Sequence, residues 1–270
     1  YKKMKVFFFL KNLKSSAFYN YFSVYNSNFE ELPIMNKSLF MENFDTINTC
    51  GISYEQASKI AENAEHSRDF SPTIKDIAVG LSTGTSGNRC LFLVSKNERA
   101  NWVAYMIDRV IGFSLKKVEV AFFLRSNNKL YESAKSKKVS FNFFDLFEKL
   151  DSHIERLNNL QPTILIAQPS LLMLLSNKKV NGELRINPKK IISVAEVLTN
   201  EDRSYIEKIF QIKLAEVYQC TEGFLASSCS EGTLHFNEDF LIIEKKYIDE
   251  EKNRFHPIIT DLLRKSQPVV

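Results

Sequence analysis

Strands and helices alternate through the middle of the chain, and this alternation limits the possible folds more than any other feature of the sequence. The apolar stripe of Ile154, Leu157 and Leu160 has helical spacing and ends before Pro162. Apolar, strand-like segments lie around it, at residues 117–124, 163–167, 190–194 and 213–219. Strands that alternate with helices form a largely parallel, doubly wound sheet with flanking helices. The sequence therefore predicts an α/β fold whose ligand site lies beyond the carboxyl ends of the strands.

Two helices in this pattern begin with recognisable capping residues. Ser95 and Glu98 stand three residues apart ahead of an apolar stripe, which predicts a capping box and a helix that ends at Gly112. Thr199 and Asp202 have the same spacing and predict the start of a helix before the strand at 213–219.

The two ends of the chain have different patterns. Residues 1–50 are dense in aromatic side chains, and we expect them to wrap the main body and bury aromatic faces against it. From residue 234 onward, short apolar segments alternate with charged turns, which predicts a small β-subdomain. We therefore divide the chain into an α/β core with an N-terminal helical wrap, residues 1–233, and the start of a β-subdomain, residues 234–270. The abrupt start and end of the sequence lead us to expect a protein cut at both ends.

The composition excludes several classes of protein. Of the 270 residues, 44% are hydrophobic and 25% are charged, as in an ordinary globular protein. The 36 basic and 32 acidic residues leave a net charge of +4 and are spread along the chain, so we predict no nucleic-acid partner. No apolar run approaches the roughly 18 residues that span a bilayer, so we predict no membrane partner. The four cysteines lack paired spacing, which favours reduced thiols and a cytoplasmic location.

A short loop rich in hydroxyl groups and glycine lies between two apolar, strand-like segments, 77–79 and 90–94. Its residues are Leu81, Ser82, Thr83, Gly84, Thr85, Ser86, Gly87, Asn88 and Arg89. Glycine allows the backbone to approach a ligand closely, and amide N–H groups beside hydroxyls form a nest for an anion such as a polyphosphate. It is not a Walker loop, because Asn88 and Arg89 stand where Lys and Ser or Thr would follow the second glycine. Taken alone, such loops are more often hairpin or solvent loops, so the phosphate-binding interpretation needs a second motif.

The second motif is Tyr218-Gln219-Cys220-Thr221-Glu222-Gly223. A Ser/Thr/Gly loop followed by Tyr-x-x-Thr-Glu resembles the adenylate-forming superfamily, whose members activate carboxylates as acyl-AMP. The residues of several further stretches resemble the sequences of the branch that contains phenylacetate-CoA ligase and the ligases that adenylate a deazaflavin coenzyme. In the order of that family, these stretches are 16–19, 32–37, 168–170, 193–196, 232–239 and 267–269.

The resemblance implies the N-terminal, nucleotide-binding lobe of such an enzyme, with a role for each motif. The ATP-binding residues would be Ser82, Thr83, Gly84, Thr85, Ser86, Gly87, Ala195, Glu196 and Tyr218. Tyr218 would stack on adenine, and Ala195 and Glu196 would lie near it. The catalytic candidates are Thr221, as a contact of the α-phosphate, and Glu222, as the ligand of Mg²⁺.

Several of these residues also have a simpler interpretation, in which they bind no ligand. Glu222 taken alone is a surface residue at a strand end, and residues 195–196 taken alone form an ordinary turn. Arg89 either binds phosphate oxygens or faces solvent. Cys229 and His235, with Cys220, either hold a structural zinc ion or leave the thiols free.

The sequence thus predicts ATP-dependent adenylation of a small-molecule carboxylate, with release of pyrophosphate. ATP and Mg²⁺ are the expected cofactors, and coenzyme A is one of several acyl acceptors that the family allows. In the family, a ribose-binding Asp and a C-terminal domain with a catalytic Lys follow the segment at Pro268, and both are absent from this sequence. The alternative is a non-catalytic nucleotide- or acyl-binding module. The identity of the acid and the oligomeric state are left open.

Overall fold

The structure is a computed structural model that describes residues 2–21, 32–82, 89–112, 114, 116–125, 136–220 and 223–269. The chain forms two compact units. The first unit comprises residues 1–101, 221–223 and 236–270, and the second comprises residues 102–220 and 224–235. The boundary at residues 233 and 234 was drawn from the sequence pattern, and it stays a prediction.

The elements are numbered in chain order. The helices are α1 (Lys2–Leu13), α2 (Ala17–Tyr21), α3 (Lys37–Glu42), α4 (Phe44–Ile47), α5 (Tyr54–Ser67), α6 (Lys96–Met106), α7 (Leu150–Leu160), α8 (Pro169–Val180) and α9 (Asn200–Phe210). The strands are β1 (Thr73–Ile74), β2 (Ile77–Leu81), β3 (Leu91–Val94), β4 (Val118–Leu124), β5 (Val139–Asp145), β6 (Ile164–Ala167), β7 (Lys190–Val194), β8 (Leu214–Cys220), β9 (Gly223–Ser228), β10 (Leu234–Phe236), β11 (Leu241–Tyr247) and β12 (Phe255–Asp261).

A seven-stranded sheet forms the second unit, in the order β10-β9-β8-β7-β6-β4-β5. The pairs β4–β5, β4–β6, β6–β7 and β7–β8 are all parallel. Residues of the central strands are buried on both faces, as the four residues of β6 are, because helices cover a sheet of this kind. Phe123 and Leu165 of the sheet pack with Leu157 of α7, Leu172 of α8 and Ile206 of α9 in one apolar cluster. The predicted α/β fold with a largely parallel sheet is confirmed.

The first unit contains two smaller antiparallel sheets and the N-terminal helices. β1, β2 and β3 form one of them, in which Leu81 pairs with Leu91 across the ends of the hydroxyl-rich loop. β11 and β12 form the other, so the small antiparallel sheet expected near the C-terminus is present. Phe9 and Phe44 are buried in separate apolar clusters of this unit.

The helix ends agree with the predicted caps, with one exception. The hydroxyl of Thr199 accepts a hydrogen bond from the backbone N–H of Asp202 at 3.1 Å, which confirms the start of α9. The helix that begins after Ser95 was predicted to end at Gly112. It does end there, but its last turn, Ile107–Ile111, is a π-helix and not an α-helix. Among the residues that the structure describes, none of the helices is long and apolar enough to cross a membrane.

Candidate functional site

The structure describes the flanks of both motifs but not their central residues. Thr83, Gly84, Thr85, Ser86 and Gly87 lie outside the described residues. Thr221 and Glu222 lie outside them as well. Ser82, Ala195, Glu196 and Tyr218 are described, and so are the residues that hold each motif at its ends.

The two ends of the hydroxyl-rich loop are joined by backbone and side-chain hydrogen bonds. The N–H of Ser82 donates to the carbonyl of Cys90 at 2.8 Å, and the N–H of Cys90 donates to Ser82 Oγ at 2.7 Å. These bonds extend the β2–β3 pairing by one step. Ser82 and Cys90 therefore hold the two ends of the loop together, and we call this hydrogen-bonded pair the base of the loop.

Arg89 strengthens this base from the side of α5. Its guanidinium forms a two-pronged ion pair with the carboxylate of Glu65, and its Nε donates to the carbonyl of Ser82 at 3.0 Å. The hydrogen bonds that Arg89 donates to Glu65 raise the pKa of Arg89. Planar pairs of guanidinium and carboxylate are specific in geometry and are stronger than neutral hydrogen bonds. The sequence offered phosphate or solvent as the partner of Arg89, and the structure shows that the partner is a helix carboxylate.

In the second unit, a turn with unusual backbone geometry follows β7. Ala195 has φ = +66°, which is uncommon for a residue with a side chain. Residues held in such conformations cluster at functional sites. Glu196 then accepts hydrogen bonds from the N–H of Ser170 at 3.2 Å and from its hydroxyl at 3.0 Å. A negative charge stabilises the first turn of α8, so the Glu196 carboxylate has a structural partner.

Polar side chains with different degrees of exposure lie at the carboxyl ends of the neighbouring strands. Gln168, directly after β6, is 8% exposed, and its Oε1 has no hydrogen-bond partner among the residues that the structure describes. Tyr218 of β8 is 42% exposed. Its neighbour Gln219 accepts a hydrogen bond from the indole of Trp102 at 3.2 Å.

Gly223 ends the second motif, and its environment was not foreseen from the sequence. The backbone there has φ = +145°, and a Cβ at this position would lie only 2.8 Å from Oδ2 of Asp261. Asp261 is buried, and burial raises its pKa to about 6. From the sequence, Asp261 was only distinguished from the expected ribose-binding Asp, which lies further along the chain in the family. Its proximity to Gly223 was not foreseen, because the two residues are distant in sequence.

Glu98 is a second buried carboxylate in the first unit. Its Oε2 accepts from the N–H of Ser95 at 2.6 Å, which confirms the capping box at the start of α6. The same carboxylate accepts from the N–H groups of Lys265 and Ser266 at 2.6 and 2.9 Å, and from the Ser266 hydroxyl at 2.7 Å. Burial alone would raise the pKa of Glu98, but the charge of Arg264 and the hydrogen bonds from the two serines hold it below its ordinary value.

The predicted zinc ligands do not form a closed site. Hydrogen bonds from the backbone at Glu231 and from the side chain of His235 lower the pKa of Cys229. Within the described ranges, no group of three or more His, Cys, Asp or Glu side chains is arranged to hold a metal ion. The structure therefore gives no support to a zinc ion at Cys229, His235 and Cys220, since a structural site needs four ligands.

Comparisons with known proteins relate the chain to one class of fold. No protein-family model and no curated protein sequence matches it. The solved structure of a 2-hydroxyisobutyryl-CoA ligase in the postadenylation state, in complex with 2-HIB-AMP, matches with a TM-score of 0.70 and 13% identity. That match covers 100% of this chain and 61% of the ligase.

Other solved structures of the same kind match over part of the chain. An amide bond synthetase from Marinactinospora thermotolerans matches with a TM-score of 0.52 and 12% identity, over 70% of this chain and 41% of the synthetase. A long-chain-fatty-acid-CoA ligase from Archaeoglobus fulgidus has a TM-score of 0.51 and 12% identity, over 70% of this chain and 43% of the ligase. The chain thus has the fold of adenylate-forming ligases and spans less than two thirds of the length of these three proteins.

Proposed function

We propose that the protein adenylates a carboxylate with ATP and releases pyrophosphate. The observation that carries this proposal is the fold match over the whole chain to a ligase in complex with an acyl adenylate. The order of the two sequence motifs supports it, because both belong to the same superfamily pattern. The chemistry requires hydrogen-bond donors where negative charge gathers on the phosphate oxygens.

The hydroxyl-rich loop supplies these donors in our proposal. The hydroxyls and amides of residues 82–87 bind the β- and γ-phosphates. The base formed by Ser82, Cys90 and the Arg89–Glu65 pair fixes where this loop starts and ends. A fixed base reduces the conformational entropy that is lost when a ligand binds. Arg89 then acts through the loop base and not on the phosphates.

Thr221 and Glu222 provide the contacts to the α-phosphate and to Mg²⁺. The donor set fits this ion, because Mg²⁺ bound to nucleotides needs only one or two protein carboxylates beside the phosphates. When bound, Mg²⁺ neutralises charge on the phosphate oxygens. Glu222 would hold the ion, and the hydroxyl of Thr221 would donate a hydrogen bond to an oxygen of the α-phosphate.

Tyr218 stacks on adenine, and the turn at Ala195 approaches its edge. The exposure of the Tyr218 ring and the positive φ of Ala195 support these roles. Because Ser170 engages the carboxylate of Glu196, we assign the contact with adenine to the backbone of residues 195–196.

The resemblance to phenylacetate-CoA ligase makes aromatic acids the first substrates to test, with coenzyme A as the first acyl acceptor. The alternative is a module that binds a nucleotide or acyl group without catalysis. Asn88 and Arg89 favour this alternative, because the loop lacks a lysine beside its second glycine.

Exchange of labelled pyrophosphate into ATP separates the two functions. We would measure it on the complete gene product with a panel of aromatic and aliphatic acids. If the protein adenylates a carboxylate, the exchange should require an acid of one class. It should be lost in the variant Glu222→Ala. The matched control Glu231→Ala removes an exposed carboxylate from a turn and should leave the exchange rate unchanged. ATP binding without exchange for any acid would favour the non-catalytic module.

A further inference from the structure

The carboxylate of Asp261 occupies the space beside Gly223 that any other residue would fill with its side chain. A Cβ on residue 223 would lie 2.8 Å from Asp261 Oδ2 and 3.7 Å from its Cγ. The first distance is shorter than a normal contact between carbon and oxygen, so a side chain at residue 223 would have to displace the Asp261 carboxylate. The backbone conformation also favours glycine here, because residues with a Cβ rarely adopt φ = +145°.

Asp261 itself is held firmly at the end of β12. Its Oδ1 accepts from the backbone N–H of Leu263 at 2.8 Å, which closes a tight turn after the strand. The side chain is buried, and the charge of Arg264 lowers its pKa while that of Glu98 raises it. A side chain fixed in this way provides a rigid surface for the backbone at Gly223.

The segment after Asp261 is tied to the strand that leaves the hydroxyl-rich loop. Leu93 of β3 donates its N–H to Gln267 Oε1 at 2.6 Å, and its carbonyl accepts from the Ser266 hydroxyl at 2.9 Å. Glu98 accepts three further hydrogen bonds from residues 265 and 266. Gly223, Asp261 and Leu93 all belong to the first unit. Hydrogen bonds therefore hold residues 265–267, which follow Asp261 closely in the chain, against the strand next to the first motif.

We propose that Asp261 is a positioning residue for Mg-ATP, which it serves by fixing the backbone at Gly223 directly after Thr221 and Glu222. This inference rests on the proposed function, since it assigns those two residues to the nucleotide and its metal ion. In this proposal Asp261 contacts neither the nucleotide nor the metal ion, and it acts only through Gly223. Small displacements of catalytic groups weaken their interactions strongly, so a fixed neighbour matters.

The test is the affinity for ATP with and without Mg²⁺, measured by titration calorimetry on the complete gene product. The variants are Asp261→Ala, Asp261→Asn and Gly223→Ala. Asp249→Ala is the matched control for Asp261, because Asp249 also accepts backbone N–H groups, those of Asn253 and Arg254 at 2.8 and 2.9 Å. Gly232→Ala is the control for Gly223, because Gly232 has a positive φ and no atom of the described part of the chain lies within 4 Å of a Cβ there. Circular dichroism confirms that each variant is folded at the temperature used.

Asp261→Ala and Gly223→Ala should weaken binding of Mg-ATP by about tenfold or more, and binding of ATP in EDTA clearly less, because Glu222 acts through the ion. Asp261→Asn keeps the shape of the side chain and should stay within about threefold of the wild type. Both controls should bind Mg-ATP like the wild type. A role in folding alone would lower the melting temperature without this selective loss of Mg-ATP affinity.

Three results would overturn the inference. One is an equal loss of affinity with and without Mg²⁺, and another is no loss in folded Asp261→Ala. The third is an equal loss in the control variants. A wild-type protein that binds ATP in neither condition would overturn the proposed function and this inference with it, so the two failures are distinguishable.

Discussion

The charged form of Asp261 lowers the free energy of unfolding, so its effect on stability depends on pH. Burial raises its pKa from the ordinary 3.8 to about 6, with Arg264 and Glu98 as its charged neighbours. Between these two values, the folded chain holds a proton that the unfolded chain has lost. The contribution of Asp261 to stability therefore falls as the pH rises through this window, and above it the cost is about 3 kcal/mol.

Replacing Asp261 with Asn should remove this pH dependence. The free energy of unfolding of Asp261→Asn, relative to the wild type, should increase from pH 4 to pH 7, as measured by urea denaturation. Glu98 does not produce this trend, because its pKa is lowered and its own contribution is lost only at more acidic pH. Asp249→Asn is the control and should show a constant difference. A constant difference for Asp261→Asn as well would contradict the assigned pKa.

The pair of Arg89 and Glu65 should stabilise the base of the hydroxyl-rich loop. Both side chains are mostly buried, so removal of either partner by Arg89→Ala or Glu65→Ala should cost about 1–2 kcal/mol of unfolding free energy. Because the two residues act on each other, the double variant should cost little more than either single variant. Chemical denaturation of the three variants gives these values. Additive losses would show that the pair is not coupled.

These residues mark the limit of prediction at this scale. The loop and the Tyr-x-x-Thr-Glu motif were recognised because residue type and spacing carry their chemistry. Glu65 and Asp261 were not recognised, because each acts on a residue far away in sequence. No local pattern distinguishes either one from a solvent-facing carboxylate.

At the scale of elements, two capping boxes of the same kind should contribute very different amounts to the free energy of unfolding. Gln56 closes the box at the start of α5, where its side chain accepts a hydrogen bond from the N–H of Ser53. Glu98 closes the box at the start of α6 and also accepts three hydrogen bonds from residues 265 and 266. The second box therefore joins α6 to residues 265–266, which are distant from it in the sequence.

We expect Gln56→Ala to cost about 0.5–1 kcal/mol, as an ordinary capping residue does. Glu98→Ala should cost about 3 kcal/mol or more, because it leaves several buried donors without an acceptor. Urea denaturation of both variants measures the difference. Similar losses for the two would mean that residues 265–266 find other partners easily.

The elements themselves were largely predictable, because apolar periodicity is a local property. The strand predicted at residues 213–219 is Leu214–Cys220, and the strand predicted at residues 190–194 is Lys190–Val194. The π-helical turn at Ile107–Ile111 was not predictable. A single π-helical turn is too short for the spacing of its apolar residues to distinguish it from an α-helical turn.

At the scale of the whole molecule, the alternation of strands and helices was sufficient to predict the α/β fold. It was not sufficient to predict that residues 236–270 share a compact unit with residues 1–101. That grouping depends on contacts such as those of Glu98 with Ser266, which join segments distant in sequence. Contacts of this kind are set by tertiary packing and leave no period in the sequence.

Thermal unfolding with and without Mg-ATP tests the central claim most directly. A ligand that binds only the folded protein raises its stability by about 2.7 kcal/mol at a hundredfold excess over Kd. We predict a shift of the melting temperature that requires Mg²⁺ and is weaker in Glu222→Ala than in the wild type or in Glu231→Ala. No shift with Mg-ATP in the wild-type gene product would contradict the assignment of the two motifs to a nucleotide site.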